Sequence, residues 1–393
     1  MPEIPLRPRP LALALGCYQV VSWGVSFYLP AVIAAPAAQS LGAARVAVVG
    51  GISWALLIAG AIAPRIGRRI DRSGGRPVLA AGSLVIAAGL ILLALSPDLA
   101  LWYLGWTVLG IGMALGLYDA AFATVGCLLG AEAAPVITGI TLIAGFASTI
   151  FWPLGTFLAT AIGWRDLLLL YAGLELALNL PLVLVFVPHF ISLSHQIAPP
   201  AAQCSPERAA SFRSFCLAVY FTLRWLITSA IAVYVLVLFS GIGLTRAHAV
   251  FAAALFGPSQ VAGRILDWAL TGWLGILARA RLAAALLPLG IALLLLGGPH
   301  AAPAFAVLYG MSNGVLTINR GTLPMAIFGP AGYAARLGWL AMPVLLAQAA
   351  APTLAAPLLA IMRPACVFLL AGLLASLAGL FLIPLRAARL SPS

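Results

Sequence analysis

The chain has 393 residues, of which 63% are hydrophobic and 8% are charged, and its formal net charge is +12. Apolar runs of roughly 18 residues or more recur along its whole length, which excludes a soluble globular domain and predicts an all-α polytopic membrane protein. Because arginines collect at membrane surfaces for reasons of topology and lipid binding, the positive charge predicts a lipid bilayer as partner and no nucleic acid.

The apolar runs predict twelve transmembrane helices. The first run follows Arg7 and Arg9, and no small-residue cleavage site follows a short apolar core. We therefore interpret it as a membrane span and not as a removed signal peptide. The predicted spans are residues 11–34, 46–63, 78–95, 99–125, 136–159, 167–187, 212–238, 247–266, 282–296, 301–318, 337–356 and 362–383.

The longest polar break lies between spans six and seven. It contains two consecutive prolines, Pro199 and Pro200, followed by Glu207 and Arg208. The break predicts an N-terminal six-helix bundle over residues 1–188, a cytoplasmic linker over 189–211 and a C-terminal six-helix bundle over 212–393.

The arginines predict the orientation in the membrane. With the N-terminus in the cytoplasm, fifteen arginines fall in cytoplasmic tails and loops, and four fall in outer loops, namely Arg45, Arg165, Arg246 and Arg363. This bias places both termini in the cytoplasm. Every basic residue is an arginine, and the chain is rich in Ala, Leu, Gly and Pro. That composition suggests a bacterial protein, so we expect a multi-pass protein of the bacterial inner membrane.

A dense charge cluster, residues 67–76, separates spans two and three. It combines four arginines with Asp71, so it must lie at a membrane surface, and its glycines allow a sharp turn and close helix packing. A loop that only sets topology would explain the arginines but not the aspartate. We therefore expect Asp71 to act as a latch near span eleven, either by capping a helix N-terminus or by pairing with an arginine.

The same cluster resembles the loop Gly-x-Leu-x-Asp-Arg-x-Gly-Arg-Lys/Arg of the major facilitator superfamily. Arg69 replaces the leucine and Gly75 replaces the first closing basic residue, while the matching residues are Gly67, Asp71, Arg72, Gly74 and Arg76. The resemblance covers the whole chain. It implies a gating role for the motif, two six-helix bundles that rock around a central site, and secondary transport.

Span one and span eight also resemble one branch of that superfamily. Span one contains Trp23 and, shortly after it, Phe27 and Tyr28, and span eight contains an arginine. In these features the chain resembles monocarboxylate transporters and oxalate/formate exchangers. This resemblance implies a small organic anion as the substrate, and proton coupling is an expectation.

Two departures from the superfamily bear on the transport mode. In span four, Trp106 occupies the position at which the family has an arginine. In span five, the sequence around Pro153 lacks the Gly-Pro-x-x-Gly-Gly pattern that is associated with antiporters. Proton-driven drug antiport is therefore less expected, although efflux of drug-like, neutral or cationic compounds stays open as an alternative.

Arg264 and Asp267 in span eight are the leading candidates for the transport site. Ionisable groups at membrane depth cost several kcal/mol and need a reason. Three residues apart, the two side chains share one helix face and can meet. Arg264 is predicted to bind an anionic substrate, and Asp267 is predicted to tune the release of that substrate. The resemblance points the same way, because related exchangers bind carboxylates through an arginine in this span. A structural ion pair is the alternative.

Tyr118 and Asp119 in span four form a second candidate pair. Asp119 could carry a proton during transport, as could Asp267, and Tyr118 is assigned to the substrate site. The alternative for Asp119 is a hydrogen bond at the inner gate, or a pair with an arginine of the other bundle.

Polar and aromatic residues of spans one and ten complete the predicted site. Gln19 and Trp23 lie one helical turn apart, Tyr28 follows, and Asn313 is deep in span ten. Such groups suit a cavity that orients a small organic ligand. Interhelical hydrogen bonding by Gln19 and plain packing by Trp23 are the alternatives.

Two further ionisable residues lie at membrane depth. Arg224 in span seven either lines the cavity or extends to the cytoplasmic surface, and we favour the latter. Glu175 in span six is interpreted as a packing or pairing residue, without a role in transport.

The sequence contains no nucleophile–base pair, zinc-binding helix motif or nucleotide-binding loop, so no metal, cofactor or enzymatic activity is predicted. A membrane receptor is the alternative of another class, but the tails are too short for a signalling domain. We expect a monomer.

Overall fold

The computed structural model describes residues 8–189 and 207–387, and every regular element within these ranges is a helix. Most of the predicted linker, residues 190–206, lies outside the described residues, as do Arg7 and Arg389.

Ten α-helices make up the N-terminal half, because several of its spans are interrupted. They are α1 (Pro8–Val25), α2 (Pro30–Ser40), α3 (Arg45–Ser73), α4 (Gly75–Ala94), α5 (Leu99–Gly116), α6 (Tyr118–Leu129), α7 (Ala133–Ala144), α8 (Ala147–Ile162), α9 (Trp164–Leu174) and α10 (Leu180–Phe186).

The C-terminal half is more regular. Its helices are α11 (Glu207–Gly241), α12 (Arg246–Ala254), α13 (Phe256–Ala269), α14 (Ile276–Gly297), α15 (Ala302–Phe328), α16 (Tyr333–Ile361) and α17 (Pro364–Leu380).

The described helices cross the membrane twelve times. Nine helical segments are long and apolar enough to span a bilayer. Two of them, Leu99–Ile162 and Ile276–Phe328, turn back and cross twice, and the shorter apolar helix α17 makes the twelfth crossing. The predicted all-α architecture of two six-helix bundles is thereby confirmed.

Five spans are interrupted, namely one, four, five, six and eight, and three of these breaks lie beside buried polar side chains. Span one breaks between α1 and α2, where Pro30 at the start of α2 lacks the N–H that would continue the helix. Span four breaks at Leu117, whose backbone is extended. Span six passes through a π-helical turn, Glu175–Asn179. Such breaks are tolerated at membrane depth only inside the protein.

Small residues allow the helices of the N-terminal bundle to pack closely. A Cβ at Gly89 of α4 would lie 2.7 Å from the Leu109 backbone nitrogen of α5, and a side chain at Gly51 would overlap the Trp106 ring. Trp106 is 1% exposed, so the residue that replaces the arginine of the superfamily is a packing residue between α3 and α5.

The two bundles meet along α3 and α16. A side chain at Gly67 would overlap the Ala334 carbonyl, and one at Gly338 would overlap the Ala63 carbonyl. We call the membrane face that carries residues 67–76 the motif face. Within the described ranges, the side-chain hydrogen bonds between bundles all lie in the membrane half nearer this face, so the motif face is closed.

Candidate functional site

A cavity lies between the bundles, at the level where spans one and four are interrupted. Its free volume is about 30 Å³, and a single water needs roughly 10–15 Å³, so the cavity is nearly closed in this conformation. It is lined mainly by apolar residues, with these polar and aromatic exceptions: Trp23, Phe27, Tyr118, Asp119, Arg320 and Gln348. Gln348 of α16 was not predicted, although an amide within an apolar span is a signal that the sequence offers.

Aromatic rings converge beside this cavity. The ring centroid of Trp23 lies 4.9 Å from that of Tyr118, 5.0 Å from Phe27 and 6.1 Å from Tyr28. Tyr28 in turn lies 5.6 Å from Trp152 of α8. The structure therefore brings together three predicted site residues, Trp23, Tyr28 and Tyr118, and adds Trp152. Flat apolar walls of this kind suit a small organic molecule.

Gln19 supports the aromatic cluster from behind. Its Nε2 donates to the Gly116 carbonyl at 2.7 Å, and its Oε1 accepts a hydrogen bond from Trp23 Nε1 at 2.9 Å. The side chain is fully buried. In this conformation Gln19 links α1 to the end of α5 and orients Trp23, which matches the interhelical alternative considered above.

Arg264 is a buried cation at the interface between the bundles. It is 4% exposed, and its Nη1 donates to the Thr141 carbonyl of α7 at 2.7 Å. Its Nε has no acceptor, and no carboxylate of the described residues forms an ion pair with it. The guanidinium is close enough to Tyr28 and Tyr118 to interact electrostatically with both phenols. Arg264 is absent from the cavity lining, but Tyr118 connects it to that lining.

The predicted contact between Arg264 and Asp267 is wrong. Asp267 Oδ2 pairs instead with Arg279 Nη1 of α14 at 2.6 Å, and the same nitrogen donates to the Asp267 carbonyl at 2.7 Å. The physical reason is competition: Arg264 reaches across to the other bundle, while Arg279 approaches the end of α13 from the adjoining span. Asp267 therefore ties spans eight and nine together, in the position that corresponds to Asp71 in the first half.

Asp119 forms an ion pair between the bundles. Its Oδ2 lies 2.6 Å from Arg320 Nη2 of α15, and the two side chains are 21% and 7% exposed. The Arg320 guanidinium also lies over the Trp225 ring, 5.6 Å from its centroid. Both charged residues line the cavity, whose lining continues to Gly67 and Ile70 at the motif face, so the pair joins the two bundles along the cavity wall. This contact agrees with the alternative of an arginine partner for Asp119.

Removing one partner of this pair should cost more than removing both. We expect D119N and R320Q each to lower stability by as much as about 3–5 kcal/mol, because each leaves an uncompensated charge in a mostly buried place. The double variant D119N/R320Q should recover part of that loss. Thermal unfolding of the parent, the two single variants and the double variant, monitored by tryptophan fluorescence, measures this double-mutant cycle. Additive losses in the double variant would mean that the two charges do not interact.

Asp71 caps the N-terminus of α16. Its Oδ1 accepts from the Ala334 N–H at 3.2 Å, and its Oδ2 accepts from the Ala335 N–H at 2.8 Å. The first N–H groups of a helix have no partner within the helix, and the helix dipole favours a negative charge there. The carboxylate of one bundle therefore satisfies two donors of the other.

The other motif residues shape this contact. Gly67 allows α3 to touch the Ala334 backbone, and Gly74 turns the chain between α3 and α4 with a φ of 75°, a value that favours glycine. Arg76 Nη2 donates to the Leu184 carbonyl of α10. Arg72 is exposed at the membrane surface.

Asn313 and Arg224 lie inside the C-terminal bundle. Asn313 is 5% exposed, and its Oδ1 accepts from Thr228 Oγ1 at 2.9 Å. Arg224 is fully buried and donates through Nη2 to Ser312 Oγ at 2.7 Å, while its Nε and Nη1 have no acceptor. The prediction that Arg224 extends to the membrane surface is therefore wrong: it lies at the midpoint of α11, too far from either surface.

Among the residues that the structure describes, no group of three or more His, Cys, Asp or Glu side chains lies close enough to hold a metal ion. The cavity itself offers the Asp119–Arg320 ion pair, the Tyr118 hydroxyl, the Gln348 amide and aromatic faces, and the Arg264 guanidinium lies beside it.

Comparison with known proteins shows what this architecture shares. No protein-family model and no curated protein sequence matches the chain. The human organic anion transporter MFSD10 (TETRAN) aligns with a TM-score of 0.71 at 17% identity, over 97% of this chain and 100% of that one. FucP, a major facilitator superfamily transporter in the outward conformation, aligns with a TM-score of 0.70 at 15% identity, over 96% and 99%. The proton:xylose symporter XylE, bound to 6-bromo-6-deoxy-D-glucose, aligns with a TM-score of 0.70 at 13% identity, over 95% and 94%. At these identities the likeness shows a common fold.

Proposed function

We propose that this chain, which has the major facilitator fold, is a secondary active transporter that moves a small organic anion across the bacterial inner membrane by alternating access. The observation that carries the proposal is Arg264. It is a buried guanidinium that has no carboxylate partner among the described residues, and it lies between the bundles and beside the aromatic cluster.

The charge of Arg264 argues for an anion. A cation at membrane depth costs several kcal/mol unless it is paired, and one backbone carbonyl neutralises no charge. A substrate carboxylate would supply the missing acceptor for Nε, and guanidinium groups bind carboxylates through two parallel hydrogen bonds. The description of MFSD10 as an organic anion transporter gives this substrate class further support.

The aromatic cluster also bears on the alternative of cationic cargo. Rings such as Trp23 and Trp152 attract cations through their faces, which on its own would suit an exported cationic drug. The unpaired positive charge of Arg264 repels such a cargo, so we favour an anion.

Alternating access accounts for the contacts at the motif face. Two contacts hold the bundles together on the side of the motif face: the cap that Asp71 forms on α16, and the ion pair between Asp119 and Arg320. Both contacts must open for substrate to pass. With both termini in the cytoplasm, the face that is closed in this conformation is the cytoplasmic one. Asp119 and Asp267 could take up protons only in states in which their ion pairs have opened.

Counterflow in proteoliposomes tests the function. Vesicles that contain the protein and are loaded with an unlabelled mono- or dicarboxylate should transiently accumulate the labelled form of the same carboxylate from outside. We expect the monomer to be the transporting species. A neutral sugar and a quaternary ammonium ion serve as comparison cargoes and should show no counterflow. Carboxylate binding without counterflow would contradict transport and favour a receptor. Counterflow of the ammonium ion alone would favour cationic efflux.

A further inference from the structure

A second buried charge centre lies inside the N-terminal bundle, away from the cavity. Glu175 lies eleven residues after Trp164 and eleven before Phe186, at the middle of span six. It is fully buried. Of the acidic side chains that the structure describes, it is the one that is buried and has no ion pair, whereas Asp119 and Asp267 both have arginine partners.

The hydrogen bonds around Glu175 come from neutral groups. Ser22 Oγ donates to its Oε1 at 2.9 Å, and Asn179 Nδ2 donates to its Oε2 at 3.1 Å. Ser83 Oγ of α4 lies beside the carboxyl group. We call Tyr18, Ser22, Ser83, Glu175 and Asn179 the Glu175 cluster.

Among the described residues, the acceptors around Asn179 outnumber its donor hydrogens. Asn179 Nδ2 lies within hydrogen-bond distance of three oxygens, namely the Tyr18 carbonyl at 3.1 Å, Ser22 Oγ at 2.9 Å and Glu175 Oε2 at 3.1 Å. An amide nitrogen carries two hydrogens, so one of the three contacts is left without a proton. Asn179 Oδ1 is a buried acceptor without a donor. A proton on the Glu175 carboxyl group would remove its negative charge and add one donor hydrogen to this group of acceptors.

Among the described residues, no cation forms an ion pair with Glu175. The elements that pack against its π-helical turn are α1, α4, α9 and α10. Their titratable or charged residues nearest to it are Tyr18 of α1 and Tyr171 of α9. Arg76 at the start of α4 bonds to the Leu184 carbonyl, and α10 contains no titratable residue. An ionised Glu175 would therefore be uncompensated at membrane depth, which costs several kcal/mol. Its ionisation must accompany an opening of the cluster.

The cluster is joined to the substrate cavity through span one. Ser22 immediately precedes Trp23, and the Ser22 carbonyl accepts a hydrogen bond from Ser26 at the break between α1 and α2. A change at Glu175 therefore acts on the helix segment that carries Trp23, Phe27 and Tyr28.

We propose that Glu175 is a proton-binding site that couples anion transport to a proton gradient. The carboxylate takes a proton from water on one face of the membrane, becomes a neutral carboxylic acid within the closed cluster, and releases that proton to the other face after the bundles have moved. The coupling role rests on the proposed function, but binding of the proton does not.

Infrared difference spectroscopy of the full-length protein in detergent, titrated with acid and base alone, tests proton binding without any transported substrate. The parent protein should show the carbonyl band of a buried carboxylic acid that disappears as the pH rises. E175Q should lack this band, whereas E132Q, a change at an exposed residue of the same bundle, should keep it. E175D, which retains a carboxyl group, should show a displaced band. Identical spectra for the parent and E175Q would overturn the proposal. A band that responds to sodium chloride and not to pH would overturn it in favour of a sodium site.

Transport under a pH gradient tests the coupling. One coupled proton gives about tenfold accumulation of a carboxylate per pH unit. The ratio of uptake with and without the gradient should therefore approach ten in the parent and E132Q, and one in E175Q. An unchanged ratio in E175Q would overturn the coupling role. If the parent shows no counterflow, the transporter proposal fails while the infrared result still decides whether Glu175 binds a proton.

Discussion

The variant R264Q is expected to lose carboxylate transport almost completely. Truncating one partner of a buried, hydrogen-bonded charge pair costs about 2–5 kcal/mol, which corresponds to a loss of about 30-fold to a few thousand-fold in transport efficiency at low substrate concentration. The reason is that glutamine can replace one hydrogen bond of the guanidinium but not its charge. Initial uptake rates in proteoliposomes measure the loss.

The matched control is R246Q. Arg246 is an exposed arginine at the other end of the same span, so its loss removes one positive charge without touching the site. We expect its rate to stay within about twofold of the parent. R264K should fall in between, because lysine keeps the charge and loses the planar fork. Parental rates in correctly inserted R264Q would show that the substrate is held elsewhere.

The variant D71N is expected to shift the protein away from the state in which the motif face is closed. The Asp71 carboxylate accepts from two N–H groups at the positive end of α16, and its charge there is worth about 1–2 kcal/mol. The ratio of closed to open molecules should therefore fall about 5- to 30-fold. Spin labels at the exposed residues Arg68 and Ala331, in a background without native cysteines, report this ratio as a distribution of distances across the motif face.

Asp98 provides the matched control for Asp71. Its Oδ1 accepts from the Leu101 N–H at 2.9 Å and caps α5 from within one bundle. D98N removes the same kind of contact without affecting the interface between bundles, so its distance distribution should equal that of the parent. If D71N also leaves the distribution unchanged, residues 67–76 serve only as a topology signal.

Much of the fold could be predicted because its causes are local. A run of apolar residues must cross the bilayer wherever it occurs, so hydropathy alone predicted the twelve spans. The resemblance carried by Gly67, Asp71 and Gly74 implied the fold, which the comparison with solved structures confirms. The interruptions of spans one, four and six were not predicted, because they depend on which neighbouring helices satisfy the freed backbone groups.

The partners of charged residues could not be predicted from spacing. Arg264 and Asp267 share a helix face, yet each has a partner from another helix, since an arginine side chain reaches as far as a neighbouring span. Arg224 was expected at the surface, but its position at the middle of α11 leaves it buried against Ser312. Asn179, one helical turn after Glu175, is a partner that spacing could have predicted, whereas Ser22 and Ser83 lie more than 90 residues away in sequence on α1 and α4.

The central claim is that Arg264 holds the carboxylate of the substrate, and a cryo-electron microscopy map of the protein with a transported anion tests it most directly. The account predicts density for the carboxylate within hydrogen-bond distance of Arg264, with the organic part against Trp23 and Tyr118. Density for the carboxylate at Arg224 in the C-terminal bundle, with Arg264 still bonded only to the Thr141 carbonyl, would contradict it.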